Sequence, residues 1–298
     1  MMTKEEFTNE LVKHLISHLP LDTRINIQSV QKNNQRNLTG LCIANSTSNV
    51  APVLYIDNYY EDYLKGISFL NIANAVFYTA KDLLEKNTTI SLDFLRDWET
   101  LKHKIFYKVV NADSNRDYLE TVAHIDFLNL SKVFCISVND ELSDGFGVIT
   151  ITHHLMDLID CSLEELAEVA ETNTPCLFPM EFMNLRQTLD ELMSIDLMEI
   201  PPSDISPFYI LTNKAKCNGA SVMFYPDLLH SISEKFNSSF YIIPSSIHEV
   251  LIMFDSAEIS PLELKSIVKE VNLTLAQEDF LSDSIYYYSI KTNSISVA

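Results

Sequence analysis

The sequence predicts an α+β fold in which antiparallel β-hairpins pack against helices in two units. Apolar residues recur at helical spacing in some stretches and alternate in others. Short β-like runs are joined by polar turns, the pattern of hairpins rather than of parallel strands with crossover helices. Three prolines within residues 201–207 then interrupt the chain, since proline continues neither a helix nor a central strand. With 298 residues, 47% of them hydrophobic, there is material for one large or two ordinary cores.

Thr3 and Glu6 have the spacing of a capping box, and Phe7, Leu11, Leu15 and Leu19 form one helical face, so residues 4–19 read as a helix closed by Pro20. The runs 24–31 and 38–44, joined by polar residues 32–37, read as a hairpin, with 53–56 completing a small meander. Asp57 is expected to cap a short helix ended by Gly66. Ser68 opens a longer one with Leu70, Ala73, Val76, Phe77, Ala80 and Leu84 as its apolar stripe. A helix over 92–101 and a strand over 105–110 follow.

Residues 133–138 and 147–152 read as strands leading into a helix that begins at His153 or His154. Residues 208–212, 221–225 and a helix opened by Pro226 and Asp227 repeat the plan, which suggests a ββα pseudo-repeat. The expected units are 1–200, with an acidic middle, and 206–298, a ββαββαβ unit. The later elements of the second are strands at 239–243, 247–254 and 284–290 and a helix at 261–272, whose Ser260-Pro261-x-Glu263 is a helix start.

Composition excludes several functions. The formal charge of −20 repels phosphate backbones and favours basic partners, so direct nucleic-acid binding is not expected. Five glycines, none at dinucleotide or Walker spacing, exclude Rossmann and P-loop cofactor sites, and no cofactor is expected. The five cysteines are scattered without a zinc or disulfide pattern and read as reduced thiols of a cytoplasmic protein. The acidic, amphipathic start and the lack of a long apolar run imply no membrane span.

The strongest signal is charge placement. Between Lys132 and Lys214 stand fifteen acids and a single base, Arg186. After the Ser162 cap, Leu163, Leu166, Ala167 and Ala170 face inward and leave Glu164, Glu168 and Glu171 as an outward carboxylate row, which Asp140 and Asp144 extend. Such a row can dock a basic protein surface. The 140–145 turn fails as a calcium loop, because Leu142 occupies the third position and Ile151 the twelfth. His14 and His18 at i, i+4 lack the Glu and third ligand of a zinc site. His153, His154 and Asp157 at a strand-to-helix junction are a metal or acid/base candidate. Ser246 and His248 invite a nucleophile reading, but same-face strand neighbours stand about 7 Å apart, too far for direct proton transfer.

Phe208-Tyr-Ile-Leu-Thr-Asn-Lys, Phe224-Tyr-Pro-Asp-Leu-Leu, Tyr241-Ile-Ile-Pro-Ser-Ser-Ile-His-Glu-Val and Asp283-Ser-Ile-Tyr-Tyr-Tyr, with the earlier Pro52-Val-Leu-Tyr-Ile-Asp-Asn-Tyr-Tyr, resemble an uncharacterised bacterial family of unknown function. The resemblance implies a cytoplasmic protein of anaerobic Gram-positive bacteria and their mobile elements, and it assigns no catalytic residue. The expected function is therefore that of a non-catalytic acidic protein bound to a basic partner, as in a DNA mimic. The alternative is a small-molecule-binding or hydrolytic enzyme with a cleft between the two units.

Overall fold

The computed structural model describes residues 1–46, 48–49, 51–85, 93–138, 147–185, 207–255 and 259–298. The chain divides into two compact units, Met1–Leu92 with Asn139–Gly145, and Asp93–Val138 with Phe146–Ala298. The expected divider at 200–206 lies outside the described residues. The strands that flank it pair with each other, so these residues connect neighbours in one sheet, and the division falls before Asp93 instead.

In the first unit, α1 (Lys4–His18) starts at the capping box: Thr3 Oγ1 accepts the Glu6 amide at 3.2 Å and Glu6 accepts the Thr3 amide at 2.8 Å. Its buried Phe7, Leu11 and Leu15 face β1 (Arg24–Gln31), β2 (Asn37–Ala44) and β3 (Val53–Tyr55), an antiparallel sheet in that order. Ile72, Ala73, Val76 and Ala80 of α3 (Phe69–Glu85) complete this core. Between them, α2 (Asp57–Leu64) begins without the expected Asp57 cap. That carboxylate instead accepts the Thr39 amide at 2.8 Å and pairs with Lys4 at 2.6 Å, so it ties β2 and α1 together.

The second unit opens with two short pieces in place of the expected 92–101 helix, because the Asp97 side chain caps a new start, α4 (Trp98–Leu101), after a 3-10 turn at Asp93–Arg96. β4 (Ile105–Asn111), α5 (Arg116–Leu119), β5 (His124–Phe127), β6 (Leu130–Ser137) and β7 (Val148–Thr150) follow. The strands form an antiparallel sheet in which β6 is paired by β4 on one side and by β5 and β7 along the other. α6 (His153–Leu158) and α7 (Leu163–Leu177) come next, and α7 packs on β4.

The remaining strands are β8 (Met180–Asn184), β9 (Phe208–Asn213), β10 (Phe240–Ile243), β11 (Val250–Phe254), β12 (Tyr286–Ser289) and β13 (Ser294–Val297), with α8 (Leu228–Phe236) and α9 (Pro261–Asn272) between them. They form a second antiparallel sheet ordered β13-β12-β10-β11-β9-β8. The fold is α+β. The pseudo-repeat does not hold, since the expected strand at 221–225 is a 3-10 helix, Gly219–Phe224. Residues 219–223 are buried in succession without the alternation of a strand, because the segment passes through the core between β9 and β4.

Candidate functional site

Three connections at one end of the second sheet converge. The first follows β9. Its Cys217 lies between Lys216 at φ 53° and Asn218 at φ 50°, two non-glycine residues in the left-handed region, a conformation that persists only where the surroundings enforce it. Buried Asn213 enforces it: its Nδ2 donates to the Cys217 carbonyl at 2.9 Å, and its Oδ1 accepts the Cys217 amide at 3.4 Å. Lys214 N donates to Pro179 O at 2.9 Å and anchors the other end.

The second connection, between β10 and β11, carries Ser246 and His248. Buried Ser246 spends its Oγ on the His248 amide at 3.0 Å. The third, after α9, carries Asp279. Backbone bonds join the three: Ala220 N to Ile247 O at 3.1 Å, Ile247 N to Asp279 O at 2.8 Å, and Leu281 N to Ser245 O at 2.9 Å. Thr212 Oγ1 also donates to His248 O at 2.7 Å.

This frame holds His248 between two partners. Its Nε2 is 3.2 Å from Asp279 Oδ1, and its Nδ1 accepts the Asn218 amide at 3.4 Å, which leaves the proton of the neutral ring on Nε2. Asn218 bridges the imidazole and Cys217, its backbone amide donating to the ring and its side chain to the sulfur. The neighbouring Cys217 side chain is the largest influence raising His248 above its ordinary 6.5; partial burial opposes it and Asp279 reinforces it. Asn218 Nδ2 donates to Cys217 Sγ at 3.4 Å. His248 and Asp279 side chains are about one-third exposed, at 35% and 37%, so the group opens to solvent. A thiol, an imidazole and a carboxylate in this order make the arrangement of an activated nucleophile: base beside nucleophile, carboxylate behind base.

The residues singled out from the sequence lie elsewhere, His248 and its neighbour Ser246 excepted. His153, His154 and Asp157 are exposed on α6, whose cap is Thr152. Among the described residues no group of three His, Cys, Asp or Glu could hold a metal ion. Glu164, Glu168 and Glu171 are exposed on α7, and Glu171 pairs with Lys132 at 3.2 Å. Asp140 and Asp144 lie outside the described residues. Sequence reasoning passed over Cys217 and Asp279 because each stands about thirty residues from His248, with no local motif to link them.

The molecule is thus an α+β protein that presents a Cys-His-Asp constellation at a sheet end. Residues 4–290 match the model of a family of unknown function, DUF5688, and the chain belongs to that family. No curated protein and no solved structure matches it. Among the described residues no helix is long and apolar enough to cross a membrane.

Proposed function

We propose that the protein is a cysteine-dependent acyl-transfer enzyme, a hydrolase of amides or esters, with Cys217 as nucleophile, His248 as base and Asp279 as the group that orients it. The observation that carries this is His248 held by Asp279 on Nε2 and by the Asn218 backbone amide on Nδ1, with the Asn218 side chain donating to Cys217 Sγ beside it. His248 takes the thiol proton as sulfur bonds to the carbonyl carbon, and then gives it to the leaving amine or alkoxide as that bond breaks, leaving a thioester. Water attacks the thioester carbon with His248 as base; the carbon–sulfur bond breaks, the acid departs and the proton returns to Cys217. The Asn218 side chain, whose Nδ2 donates to the sulfur, would donate to the carbonyl oxygen as it gains charge. A cytoplasmic setting, which keeps thiols reduced, suits this chemistry.

p-Nitrophenyl acetate tests the reading. Nitrophenolate should appear in a burst, with the acetyl group mapped to Cys217 by peptide mass spectrometry. His248→Gln should slow acylation about a hundredfold with the circular dichroism unchanged. Equal acetylation of exposed Cys176, or an unaltered rate in His248→Gln, would overturn it.

A second reading is favoured by the exposure of Glu164 and Glu168 along α7: a docking face for a basic protein, as expected of a DNA mimic in a bacterial mobile element. Reversal of both charges, Glu164→Lys with Glu168→Lys, should abolish salt-sensitive capture of that partner from host extract. Capture that survives both reversals removes this role.

A further inference from the structure

A cavity of about 410 Å³ lies in the second unit, where the 3-10 helix Gly219–Phe224 runs into α8 beside the β12–β13 hairpin. Its size is that of a small-molecule site, ~300–1,000 Å³. Four aromatic residues line it: Phe127, Phe224, Tyr225 and Tyr288. Both tyrosine hydroxyls are spent within the fold, Tyr225 Oη donating to Phe178 O at 2.7 Å and Tyr288 Oη to Asn293 Oδ1. What these residues offer a ligand is therefore aromatic wall. No Lys or Arg is among the lining residues.

The one carboxylate in the lining is unspent. Asp227 stands at the N-cap of α8, but at φ 56°, in the left-handed region, where its side chain caps no amide. Its carbonyl alone serves the helix, by accepting Ser231 N at 2.9 Å. An ordinary cap is extended and turns its carboxylate onto the first-turn amides. The departure here costs strain and leaves the exposed carboxylate beside the cavity, with no hydrogen bond or ion pair among the described residues. His230, also in the lining, has Nε2 at 3.3 Å from Glu234 Oε1, and its buried Nδ1 has no partner among the described residues. Phe224 already meets one cation. The Lys132 ammonium lies 5.0 Å from its ring centre, with Glu171 as counter-ion at 3.2 Å.

We infer that this cavity binds a guanidinium group, with Asp227 as its counter-ion and the aromatic residues as the surface on which it stacks. A guanidinium is planar, weakly hydrated and permanently charged, so it leaves water for an aromatic wall more readily than an ammonium does and meets a carboxylate with two N–H donors. An anion finds no Lys or Arg in the lining, and a neutral ligand leaves Asp227 without a partner. The inference does not depend on the acyl-transfer reading.

Butylguanidinium and butylurea, which match in shape and differ in charge, test the site. Methionine labelled with carbon-13 at the methyl gives the readout, because buried Met223 lines the cavity and its resonance is identified by its loss in Met223→Leu. Butylguanidinium should shift that resonance saturably, and butylurea should bind about tenfold more weakly. Asp227→Asn should weaken butylguanidinium about tenfold and leave butylurea unchanged, since asparagine keeps the left-handed backbone. Phe127→Leu, at a half-buried ring, should weaken it about threefold. N-Acetyl-arginine methylamide separates two sources of the group: binding tighter than that of butylguanidinium marks an arginine side chain in a peptide, weaker binding a free guanidino compound, and either supports the site. The absence of a saturable shift, or equal affinity for butylguanidinium and butylurea, overturns it. So does an affinity for butylguanidinium unaltered in Asp227→Asn, which would trace the binding to the net charge of −20.

Discussion

Gly219 shows how closely the site is held at the scale of single residues. A Cβ there would collide with the Thr212 hydroxyl and the His248 carbonyl, two groups already bonded to each other. The position needs glycine for the close approach of two backbones, two residues from Cys217. Gly219→Ala should cost about 2 kcal/mol, as overpacking of a filled site does, and should slow alkylation of Cys217 because the loop must move away from His248. Urea unfolding and iodoacetamide kinetics would read the two effects. Full retention of both would mean that the loop absorbs the methyl elsewhere. His248 itself was visible in the sequence, beside Ser246, and the argument that neighbours two apart on a strand are too distant led away from chemistry there. Ser246 is occupied with the His248 amide, and the partners of the imidazole come from other loops. A lone cysteine between two polar turn residues carries no signal of its own until the fold brings a histidine to it.

At the scale of elements, legibility followed how local the determinants are. The capping box at Thr3 with Glu6 and the cap at Ser162 form as the sequence implies, because each involves only one turn of chain, and the structure completes the second as a box with Glu165. The hairpin of β1 and β2 was legible from its polar connection and pairs from Arg24↔Ala44 to Gln31↔Asn37. β5, β8 and β13 were not. Each is an edge or lightly buried strand of four or five residues, such as Ser294–Val297 with one half-buried residue, so the alternation that marks a strand is absent. The 3-10 helix at Gly219–Phe224 failed in the opposite way, since its largely apolar composition suits a buried strand equally well. Tertiary placement decided between them. The site depends on elements of this second kind, and for that reason it was the least legible part of the chain.

At the scale of the whole molecule, stability should peak on the acid side of neutrality. His248 is raised in the folded protein, first by Cys217, against an ordinary value of 6.5. A group raised on folding contributes stability that is fully present below its unfolded value and lost as pH rises through the folded one. Glu6 and Glu165 are lowered by bonds to Thr3 and Ser162, and Asp22 is lowered by bonds to Ser46. Their contributions are present above the ordinary carboxylate values, 4.5 for Glu and 3.8 for Asp, and are lost as pH falls through the lowered ones. The net charge acts in the same sense as His248. At −20 the chain repels itself at pH 7, and this repulsion fades toward the isoelectric point near 4.6. The three effects leave a maximum between about pH 4.5 and 6.5. Chemical unfolding of dilute protein from pH 3.5 to 9 should therefore show stability falling on both sides of that window. In His248→Gln the alkaline limb should flatten, and the remaining slope should vanish in 0.5 M salt as self-repulsion is screened. An alkaline limb of the same steepness in His248→Gln would mean that the imidazole is not held by Cys217 and Asp279 in solution, and the nucleophile reading would lose its base.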